Sequence, residues 1–566
     1  MMVKIVIIGG SAGGASVATR ARRLDESAQI TMYERGPHVS FSNCALPYHL
    51  SETIANPNRL VLMTPEKFKN EYNIDAIVNH EVTEISAQDK KVTVKNVLTG
   101  EITIDDYDYL FLSPGASPVY PKTIKGLQQD NVYTLRNVPD VIKIHDDLIE
   151  KNAKHVAVIG GGFIGIEAAE NLNKQGYHVT IIKRHHHLLD TVDDDIAQII
   201  QKEMIDHNID IVINDAPVEV MDKRVLLASG KMISADAVIL AAGVKPDTKL
   251  AVQTGITLGV TGAIQVNQNY QTNLPNIYAV GDAIELKHAI TQKPYNLSLA
   301  YPAQMQARGA VDRIYGRQIR NRGVIGSQCI PIFDLNVAST GLTEKQCQKE
   351  QIDYRSVLVI PKDKVAIMPQ ARPLYLKLIF GYPDGKILGA QAVGRSAVDK
   401  QIDIIATAIQ YNGYVEDLQA LELCYQPEFS TTKNAVNMAG LVATNILNGE
   451  YQQVSVTQVR DLVEKEAYII DIRGRRQFAK GHIVNAINIS MAEFRSHLDQ
   501  VPKDRPVYLH CVTGKDSYNI TRALVNLGYT NVYNISGSFS ALCEYEYFRD
   551  VTENRTPIVT NYTFNL

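Results

Sequence analysis

The sequence of 566 residues contains no tryptophan and few cysteines. Its six cysteines are Cys44, Cys329, Cys347, Cys424, Cys511 and Cys543. No two of them form a CxxC pair, which argues against a zinc site and against a disulfide scaffold. No apolar run approaches the ~18 residues that a membrane-spanning helix requires. The N-terminus carries one lysine and a short apolar run, which is not typical of a signal peptide. We therefore expect a cytoplasmic protein with free thiols.

The sequence also lacks a strong charge of either sign. It has 57 basic and 61 acidic residues, a formal net charge of -4. This balance gives no electrostatic case for binding nucleic acid or an anionic membrane. Hydrophobic residues make up 45% and charged residues 21%, values typical of a globular protein. At roughly 150 residues per domain, the length predicts three or four domains.

A glycine turn between a strand and a helix is the first chemical signal, in "VKIVIIGGSAGGASVATRARRL". The glycines allow a tight turn, and the helix N-terminus offers free N–H groups to a diphosphate. Ser11 replaces the middle glycine of G-x-G-x-x-G, and Glu34 lies twenty residues beyond Gly14 at the end of the strand "QITMYE". A carboxylate there is placed for ribose hydroxyls. The pattern predicts a nucleotide-binding fold; the alternative is a turn used only for packing.

The same signature returns in "HVAVIGGGFIGIEAAENLNKQGYHVTIIKR", with Gly160, Gly162 and Gly165. Two such folds predict two different nucleotides. Lys183 and Arg184, rather than an acid, follow the second strand. Cations attract a 2′-phosphate, so NADPH is favoured over NADH unless these charges are merely solvated. Three histidines, 185–187, come next; adjacent residues cannot all face one ion, so we expect a solvated turn and predict no metal site.

A third marker, "NLPNIYAVGDAIE", ends a strand at Gly281-Asp282. With this marker the sequence resembles the two-dinucleotide flavoprotein disulfide reductases. The resemblance implies FAD on the first fold, with Asp282 at the ribityl chain, and NAD(P)H on the second fold. The segments "LSPGASP" and "AAGVKP" match the strand-to-turn crossovers of that family. The cofactor-binding residues so implied are Gly9, Ser11, Ala12, Gly13, Glu34, Arg35, Asn43, Gly160, Gly162, Gly165, Lys183, Arg184, Gly243, Asp282 and Ala300.

The stretch "SFSNCALPY" around Cys44 narrows the resemblance. Positions 49 and 50 hold no second cysteine, and the stretch is similar to the single-cysteine branch of the coenzyme A disulfide reductases. That branch also contains NADH oxidases and peroxidases, whose single cysteine cycles through a sulfenic acid. The resemblance implies a catalytic Cys44. It also implies coenzyme A contacts, made by Arg20, Arg23, Ser40 and Asn43.

Two tyrosines distinguish members of this branch. "LCYQPEFS" matches the family's Tyr-x-Pro motif, which implies that Tyr425 reaches the partner subunit's Cys44 in a homodimer. A hydroxyl there could protonate a departing sulfur; a core tyrosine is the alternative. The second family tyrosine pair is replaced by Ile367 and Met368 in "VAIMPQA". Since both tyrosines are thought to serve disulfide reduction, the replacement favours a persulfide as substrate.

The C-terminal part, "YIIDIRGRRQFAKGHIVNAINI" followed by "VYLHCVTGKDS", resembles a rhodanese domain. A strand delivers Cys511 to a short loop that opens a helix. Backbone N–H groups of such a loop, with the helix dipole, stabilise a thiolate or persulfide anion. Thiosulfate-using rhodaneses carry an arginine where Asp516 stands, beside Lys515. The acid disfavours a dianion, so we expect a thiol-borne sulfur donor for Cys511.

The predicted fold is α/β, with two Rossmann-like dinucleotide-binding domains, an α+β dimerisation domain and a C-terminal α/β rhodanese domain. The expected boundaries are 1–117 with 245–325 for FAD, 118–244 for NAD(P)H, 326–448 for dimerisation, 449–455 for a linker, 456–552 for the rhodanese and 553–566 for a tail.

The hypothesis from the sequence is an FAD-dependent NAD(P)H reductase of low-molecular-weight persulfides or polysulfides, favouring coenzyme A persulfide. Cys44 would release hydrogen sulfide and thiol, and Cys511 would carry sulfane sulfur. Three alternatives stay open: a coenzyme A disulfide reductase, an NADH oxidase or peroxidase with a rhodanese partner, and a non-catalytic sulfur sensor.

Overall fold

The structure is a computed structural model that describes residues 2–318 and 320–564. The last two residues of the expected tail, 565 and 566, lie outside the described residues. The chain divides into two compact units. Unit 1 comprises the chain up to Arg184 together with Val212–Val324, and unit 2 comprises His185–Ile211 together with the chain from Ile325 onwards. Within the described ranges, the helices are too short or too polar to span a membrane.

The strands, in chain order, are β1 Lys4–Ile8, β2 Gln29–Tyr33, β3 Asp75–Ile77, β4 His80–Ser86, β5 Lys91–Asn96, β6 Ile102–Asp106, β7 Tyr109–Leu112, β8 Ala116–Pro118, β9 Val132–Tyr133, β10 His155–Ile159, β11 His178–Ile182, β12 Asp210–Val212, β13 Pro217–Met221, β14 Arg224–Leu227, β15 Met232–Ser234, β16 Ala237–Leu240, β17 Val244–Pro246, β18 Ile277–Ala279, β19 Leu286–Lys287, β20 Pro294–Tyr295, β21 Gln328–Ile332, β22 Leu335–Gly341, β23 Tyr354–Val359, β24 Leu374–Gly381, β25 Ile387–Gly394, β26 Gln452–Val454, β27 Tyr468–Asp471, β28 Ile487–Asn488, β29 Val507–His510 and β30 Val532–Ile535.

The α-helices, in chain order, are α1 Ala12–Leu24, α2 Pro47–Leu50, α3 Pro65–Tyr72, α4 Val138–Glu150, α5 Phe163–Lys174, α6 Asp194–Asp206, α7 Lys249–Thr254, α8 Ala300–Ile314, α9 Glu344–Glu350, α10 Val398–Gln410, α11 Val415–Ala420, α12 Ala435–Leu447, α13 Val459–Glu464, α14 Arg475–Lys480, α15 Lys515–Asn526 and α16 Ser538–Thr552.

Unit 1 contains two parallel sheets that follow the two glycine signatures. The first has the order β18-β7-β1-β2-β3, and the second includes β11-β10-β16-β9 in that order. The strand "KIVII" is buried on both faces, as expected for a parallel strand covered on both sides by helices. Each glycine turn therefore stands at the carboxyl end of a central strand, where α/β sheets bind their ligands.

Unit 2 contains an antiparallel sheet of order β21-β22-β25-β24-β23 and a parallel sheet of order β26-β30-β29-β27-β28. Every residue of β24 and β25 is buried, and helices α10 and α12 pack against this sheet. The parallel sheet carries Cys511 directly after β29. The α/β fold class and its four-part architecture are those that the sequence predicts.

Two segments join the rhodanese sheet more closely than the sequence indicates. Strand β26 lies inside the segment expected to be a linker and pairs with β30. Val559, in the expected tail, pairs with Ile483 across a β-bridge and is buried. Arg555, also in the tail, donates to the buried carboxylate of Asp550 at 3.0 Å. Both segments are therefore packed parts of unit 2.

Candidate functional site

The first glycine turn, in unit 1, has no space for a side chain at the two glycines that lie closest to backbone carbonyl groups. Gly9 has φ +97°, and a Cβ there would lie 2.1 Å from the carbonyl oxygen of Ser113. A Cβ on Gly14 would lie 1.8 Å from the carbonyl oxygen of Gly9, so only glycine lets α1 start against the turn. Ser11 caps α1 without a side-chain hydrogen bond. The first N–H groups of α1 therefore face the sheet edge as donors for a diphosphate.

Glu34 is held at this turn by two backbone donors. Its Oε2 accepts from the amide of Gly10 and its Oε1 from the amide of Gly36, both at 2.8 Å. The neighbouring Arg35 is exposed and pairs with Asp247 at 3.3 Å. The carboxylate thus stands in the place where an adenosine ribose would meet it.

Further polar groups of unit 1 fit a large polar cofactor. The Oδ1 atom of Asn43 is buried and has no hydrogen-bond partner among the described residues. Burial raises the pKa of Asp282, which Arg136 opposes from 3.6 Å. Gly243 has φ +105° with open space around its Cβ position, and Ala300 begins α8. An orphaned acceptor and an open glycine cradle are the features expected of a site for FAD.

Cys44 lies in a 3-10 turn, Asn43–Ala45, just before α2. The residue is exposed, but partial burial of its thiol, together with Glu167 and Asp282, raises its pKa. Ser40, four residues earlier, adopts a left-handed φ of 46°. Cys44 therefore directly follows Asn43, which is predicted for both the flavin and the coenzyme A site, and two carboxyl groups act on its thiol.

Glu167 is a functional candidate that the sequence reasoning missed. It lies in the first turns of α5, and burial, followed by repulsion from Glu170, raises its pKa to about 7. Helix α5 also packs against α2, which follows Cys44. A carboxyl group that changes charge near neutral pH is thus placed next to the thiol. The only signal in the sequence is its position two residues after Gly165.

The second glycine turn, also in unit 1, repeats the first. Gly160 has φ +122°, and a Cβ on Gly165 would lie 2.1 Å from the carbonyl oxygen of Gly160. At Gly162 a Cβ would meet no described atom within 4 Å, which leaves room for a pyrophosphate. Lys183 and Arg184 follow β11; the former is buried and the latter exposed. The arrangement fits a nicotinamide dinucleotide.

The predicted coenzyme A residues on α1 differ in availability. Arg20 donates from Nε to Oδ1 of Asp312 at 2.7 Å, and its side chain is 11% exposed. Arg23 is exposed. Arg22, between them, is buried and donates to the backbone carbonyls of Tyr72 and Asn73. A phosphate would therefore meet Arg23 directly, whereas Arg20 already holds a carboxylate.

Tyr425 lies in unit 2 on a segment without regular structure and is 48% exposed. The loop with Ile367 packs beside it: the amide of Val365 donates to the carbonyl of Pro427 at 3.4 Å. Ile367 itself is 84% exposed. An aliphatic side chain thus occupies the loop next to Tyr425 where the family has a tyrosine.

Cys511 is buried in unit 2, in the loop just before the first residue of α15. Its Sγ accepts from the amide of Gly514 at 3.1 Å and from the hydroxyl of Ser517 at 3.4 Å, with the hydroxyl of Ser538 at 3.9 Å. Lys515 and Asp516 are exposed. The donors converge on the sulfur, as a thiolate or persulfide anion requires.

A buried ion pair supports the strand that carries Cys511. Arg473 donates to Asp471 at 2.6 Å, and His510 lies 3.6 Å from the same carboxylate. Burial lowers the pKa of His510, and Asp471 opposes this. Burial would raise the pKa of Asp471, but His510 and Arg473 outweigh it, so that pKa is lowered. Asp471, Arg473 and His510 therefore hold the end of β29 in place, whereas the hydrogen bonds to the sulfur come from other residues.

The remaining cysteines separate into two kinds. Cys347 and Cys543 are buried, and burial raises the pKa of each to about 12. Cys329 and Cys424 are exposed. Thiols with so high a pKa are poor nucleophiles, so neither Cys347 nor Cys543 is a candidate nucleophile.

Comparisons with known proteins agree with this geometry. The family model described as pyridine nucleotide-disulphide oxidoreductase matches residues 3–307, its dimerisation domain matches 328–436, and the rhodanese-like domain matches 455–545. Coenzyme A disulfide reductases of Staphylococcus epidermidis and Staphylococcus aureus are 33% and 34% identical over 443 residues, covering 78% of this chain and 100% of theirs.

Two solved structures resemble nearly the whole chain. Reduced Bacillus anthracis CoADR-RHD has a TM-score of 0.94 at 41% identity, covering 97% of this chain and 99% of its own. An NAD-dependent persulfide reductase from A. fulgidus has a TM-score of 0.90 at 30% identity, covering 95% and 100%. The resemblance predicted from the sequence is confirmed. The chain belongs to the pyridine nucleotide-disulphide oxidoreductases, which use FAD and NAD(P)H, and it carries a C-terminal rhodanese domain.

Proposed function

We propose that this flavoprotein reduces low-molecular-weight persulfides, with coenzyme A persulfide as the favoured substrate, and releases hydrogen sulfide and a thiol. The observation that carries the proposal is Cys511, buried in a nest of hydrogen-bond donors in the same chain as Cys44. Plain disulfide reduction or oxygen reduction has no use for a sulfur-carrying thiol. A persulfide reductase among the similar structures supports the same substrate class.

The proposal assigns separate binding residues to FAD and to NAD(P)H. When bound, FAD would supply the two-electron chemistry that links NAD(P)H to Cys44. Gly9, Glu34 and Asp282 hold FAD, with Asn43 Oδ1 as a free acceptor. Gly162 admits the second dinucleotide, and the cations Lys183 and Arg184 favour NADPH over NADH. The proposed domain boundaries are those stated from the sequence, except that the segments 449–455 and 553–566 belong with the rhodanese domain.

Cys44 does the sulfur chemistry as a thiolate. Attack on the outer sulfur of the persulfide forms Cys44 persulfide and expels the carrier thiolate. Attack on the inner sulfur forms a mixed disulfide with Cys44 and expels hydrosulfide. In either route, reduction of the new S–S bond by two electrons, which a bound flavin would supply, would restore the Cys44 thiolate, with protons from solvent or Tyr425. Both routes give the same products.

The coenzyme A site would use Arg23, Ser40 and Asn43 around Cys44, with Arg20 held by Asp312. Tyr425 would come from the partner subunit of a cytoplasmic homodimer and protonate the departing sulfur. With Ile367 beside it in place of a tyrosine, one hydroxyl remains. One proton donor is enough for a small hydrosulfide, which supports the persulfide.

A coenzyme A disulfide reductase is the second candidate, because the curated relatives carry that name. Sulfide measurement separates the two. With NADPH and coenzyme A persulfide, we expect the enzyme to release sulfide and oxidise NADPH in equal amounts. The Cys44→Ser variant should lose both, since the attacking thiolate is gone. NADPH oxidation without sulfide release would contradict the proposal.

A further inference from the structure

The turn between β30 and α16, residues 536–538, has an unusual backbone. Gly537 has φ +73° and Ser538 has φ 51°, so two consecutive residues are left-handed. Glycine adopts this conformation without cost, whereas serine does not. Strain of this kind persists where the surroundings fix it, and it concentrates at functional positions.

The surroundings do fix this turn. The hydroxyl of Ser536 accepts from the amide of Leu358 in β23 at 3.4 Å. A Cβ on Gly537 would lie 2.8 Å from the side chain of Leu358 and 2.6 Å from Ala541. The turn thus contacts β23 of the dimerisation sheet on one side and the start of α16 on the other, which holds Gly537 in place.

In this backbone conformation, the hydroxyl of Ser538 lies next to Cys511. Ser538 is fully buried, and its Oγ accepts from the amide of Cys511 at 3.2 Å. The single hydrogen of that hydroxyl has three acceptors within reach: the carbonyl of Ile535 at 3.1 Å, Oγ of Ser517 at 3.5 Å and Sγ of Cys511 at 3.9 Å. With a neutral thiol the carbonyl is the better acceptor. With a negative sulfur the bond to sulfur becomes charge-assisted and stronger.

We propose that Ser538 is a hydrogen-bond donor to the reacting sulfur of Cys511 and stabilises its anionic form. The inference rests on the proposed role of Cys511 as a sulfur carrier. In the loading step, the Cys511 thiolate forms an S–S bond to the outer sulfur of an organic persulfide. The bond between that sulfur and its carrier breaks, and the carrier leaves as a thiolate with the electron pair. Ser538 holds the attacking anion.

Two substitutions separate this role from a structural one. Ser538→Ala removes the hydroxyl and keeps the strained backbone, whereas Ser538→Gly removes both the hydroxyl and the strain. Ser540→Ala is the matched control, because Ser540 is buried on the same helix and its Oγ has no hydrogen-bond partner among the described residues. The readouts on the full-length holoenzyme are iodoacetamide alkylation of the Cys511 peptide at neutral pH and sulfur loading from glutathione persulfide, both followed by mass spectrometry.

We expect both Ser538 variants to slow alkylation and loading about tenfold, the loss of one hydrogen bond to a charged sulfur. Ser540→Ala, which removes a buried hydroxyl without a hydrogen-bond partner from the same helix, should keep the wild-type rates of both reactions. Wild-type rates in Ser538→Gly would overturn the proposal. Absence of loading in the wild type, with alkylation still slowed in both variants, would reject the carrier role of Cys511 and retain the donor role of Ser538.

Discussion

Two carboxyl groups act electrostatically on the thiol of Cys44, and the pKa of one of them is raised to about 7. Glu167 and Asp282 both raise the pKa of the thiol, and the pKa of Glu167 itself is about 7. As the pH rises through that value, Glu167 gains a negative charge and opposes formation of the thiolate. The reactivity of Cys44 should therefore rise less steeply with pH than that of an isolated thiol.

Glu167→Gln removes this charge and keeps the shape of the side chain. We expect iodoacetamide to alkylate Cys44 faster in the variant, with a ratio to wild type that grows as the pH rises through about 7. Glu52→Gln is the control, since the carboxyl groups that raise the pKa of the thiol are those of Glu167 and Asp282. A ratio that stays constant across this pH range would show that Glu167 does not act on Cys44.

For single residues, the sequence predicts positions that belong to a local motif. It does not predict contacts with residues that are distant in the sequence. Glu34 is held at the first glycine turn, as its spacing indicates. Arg20 is paired with Asp312, 292 positions away, which no local pattern can reveal. Ser538 escapes notice because its place near Cys511 depends on a backbone angle, not on a motif.

The two glycine turns are the elements that we propose to bind the cofactors, and their glycines are required for different reasons. A Cβ at Gly165 would collide with the carbonyl of Gly160, whereas at Gly162 it would meet no described atom within 4 Å. Packing thus requires glycine at position 165, whereas at position 162 the described residues leave room for a side chain, and we propose that the dinucleotide fills this room. The motif predicts both glycines, but only the structure separates the two reasons.

Gly162→Ala should fold and bind FAD like wild type but raise KM for NADPH about tenfold or more, because the methyl group occupies the pyrophosphate space. Gly165→Ala should instead lose roughly 1–3 kcal/mol of stability from overpacking. Thermal melting and steady-state kinetics distinguish the pair. Equal melting temperatures and equal KM values for the two variants would contradict this division.

A buried cluster joins three elements of unit 2 around Lys377. Its ammonium lies 2.8 Å from Asp195, 3.3 Å from Asp193 and 3.3 Å from Glu344. Burial raises the pKa of Asp193 and of Glu344, and Lys377 opposes both shifts. One cation therefore compensates carboxylates at the start of α6 and the start of α9.

Lys377→Met should lower the free energy of unfolding by about 3–5 kcal/mol, the cost of leaving buried charges unpaired. The loss should grow with pH: carboxyls with a raised pKa are stabilising while protonated, and that contribution disappears as they ionise. Lys400→Met, at an exposed pair with Asp399 and Asp403, should change stability little. Denaturant unfolding at mildly acidic and alkaline pH tests this, and a pH-independent loss would contradict it.

Over the whole molecule, the rhodanese is packed onto the dimerisation sheet within unit 2. Gln453 donates to the carbonyl of Ser356 at 2.7 Å, and Arg549 pairs with Asp194. The segment expected to be a linker contains the paired strand β26. The sequence indicates a short bridge but cannot show this docking, which depends on side chains from distant segments. A freely swinging rhodanese is not expected, so sulfur would leave Cys511 on a small thiol.

Cys511→Ser tests whether Cys511 carries sulfur while Cys44 reduces the persulfide. It should keep activity on preformed coenzyme A persulfide, which reaches Cys44 directly, and lose activity on a donor that must first load the rhodanese. Cys329→Ser, at an exposed thiol with no proposed role, is the control and should keep both. Equal loss on both kinds of substrate would argue against a carrier role.

The most direct test of the proposed activity compares three acceptors in one steady-state assay of NADPH consumption: coenzyme A persulfide, coenzyme A disulfide and oxygen. Cys511 in its donor nest and Ile367 in place of a second tyrosine both favour the persulfide. We predict that kcat/KM is highest for coenzyme A persulfide, with sulfide as a product. A kcat/KM for the disulfide or for oxygen that equals or exceeds that for the persulfide would contradict the account.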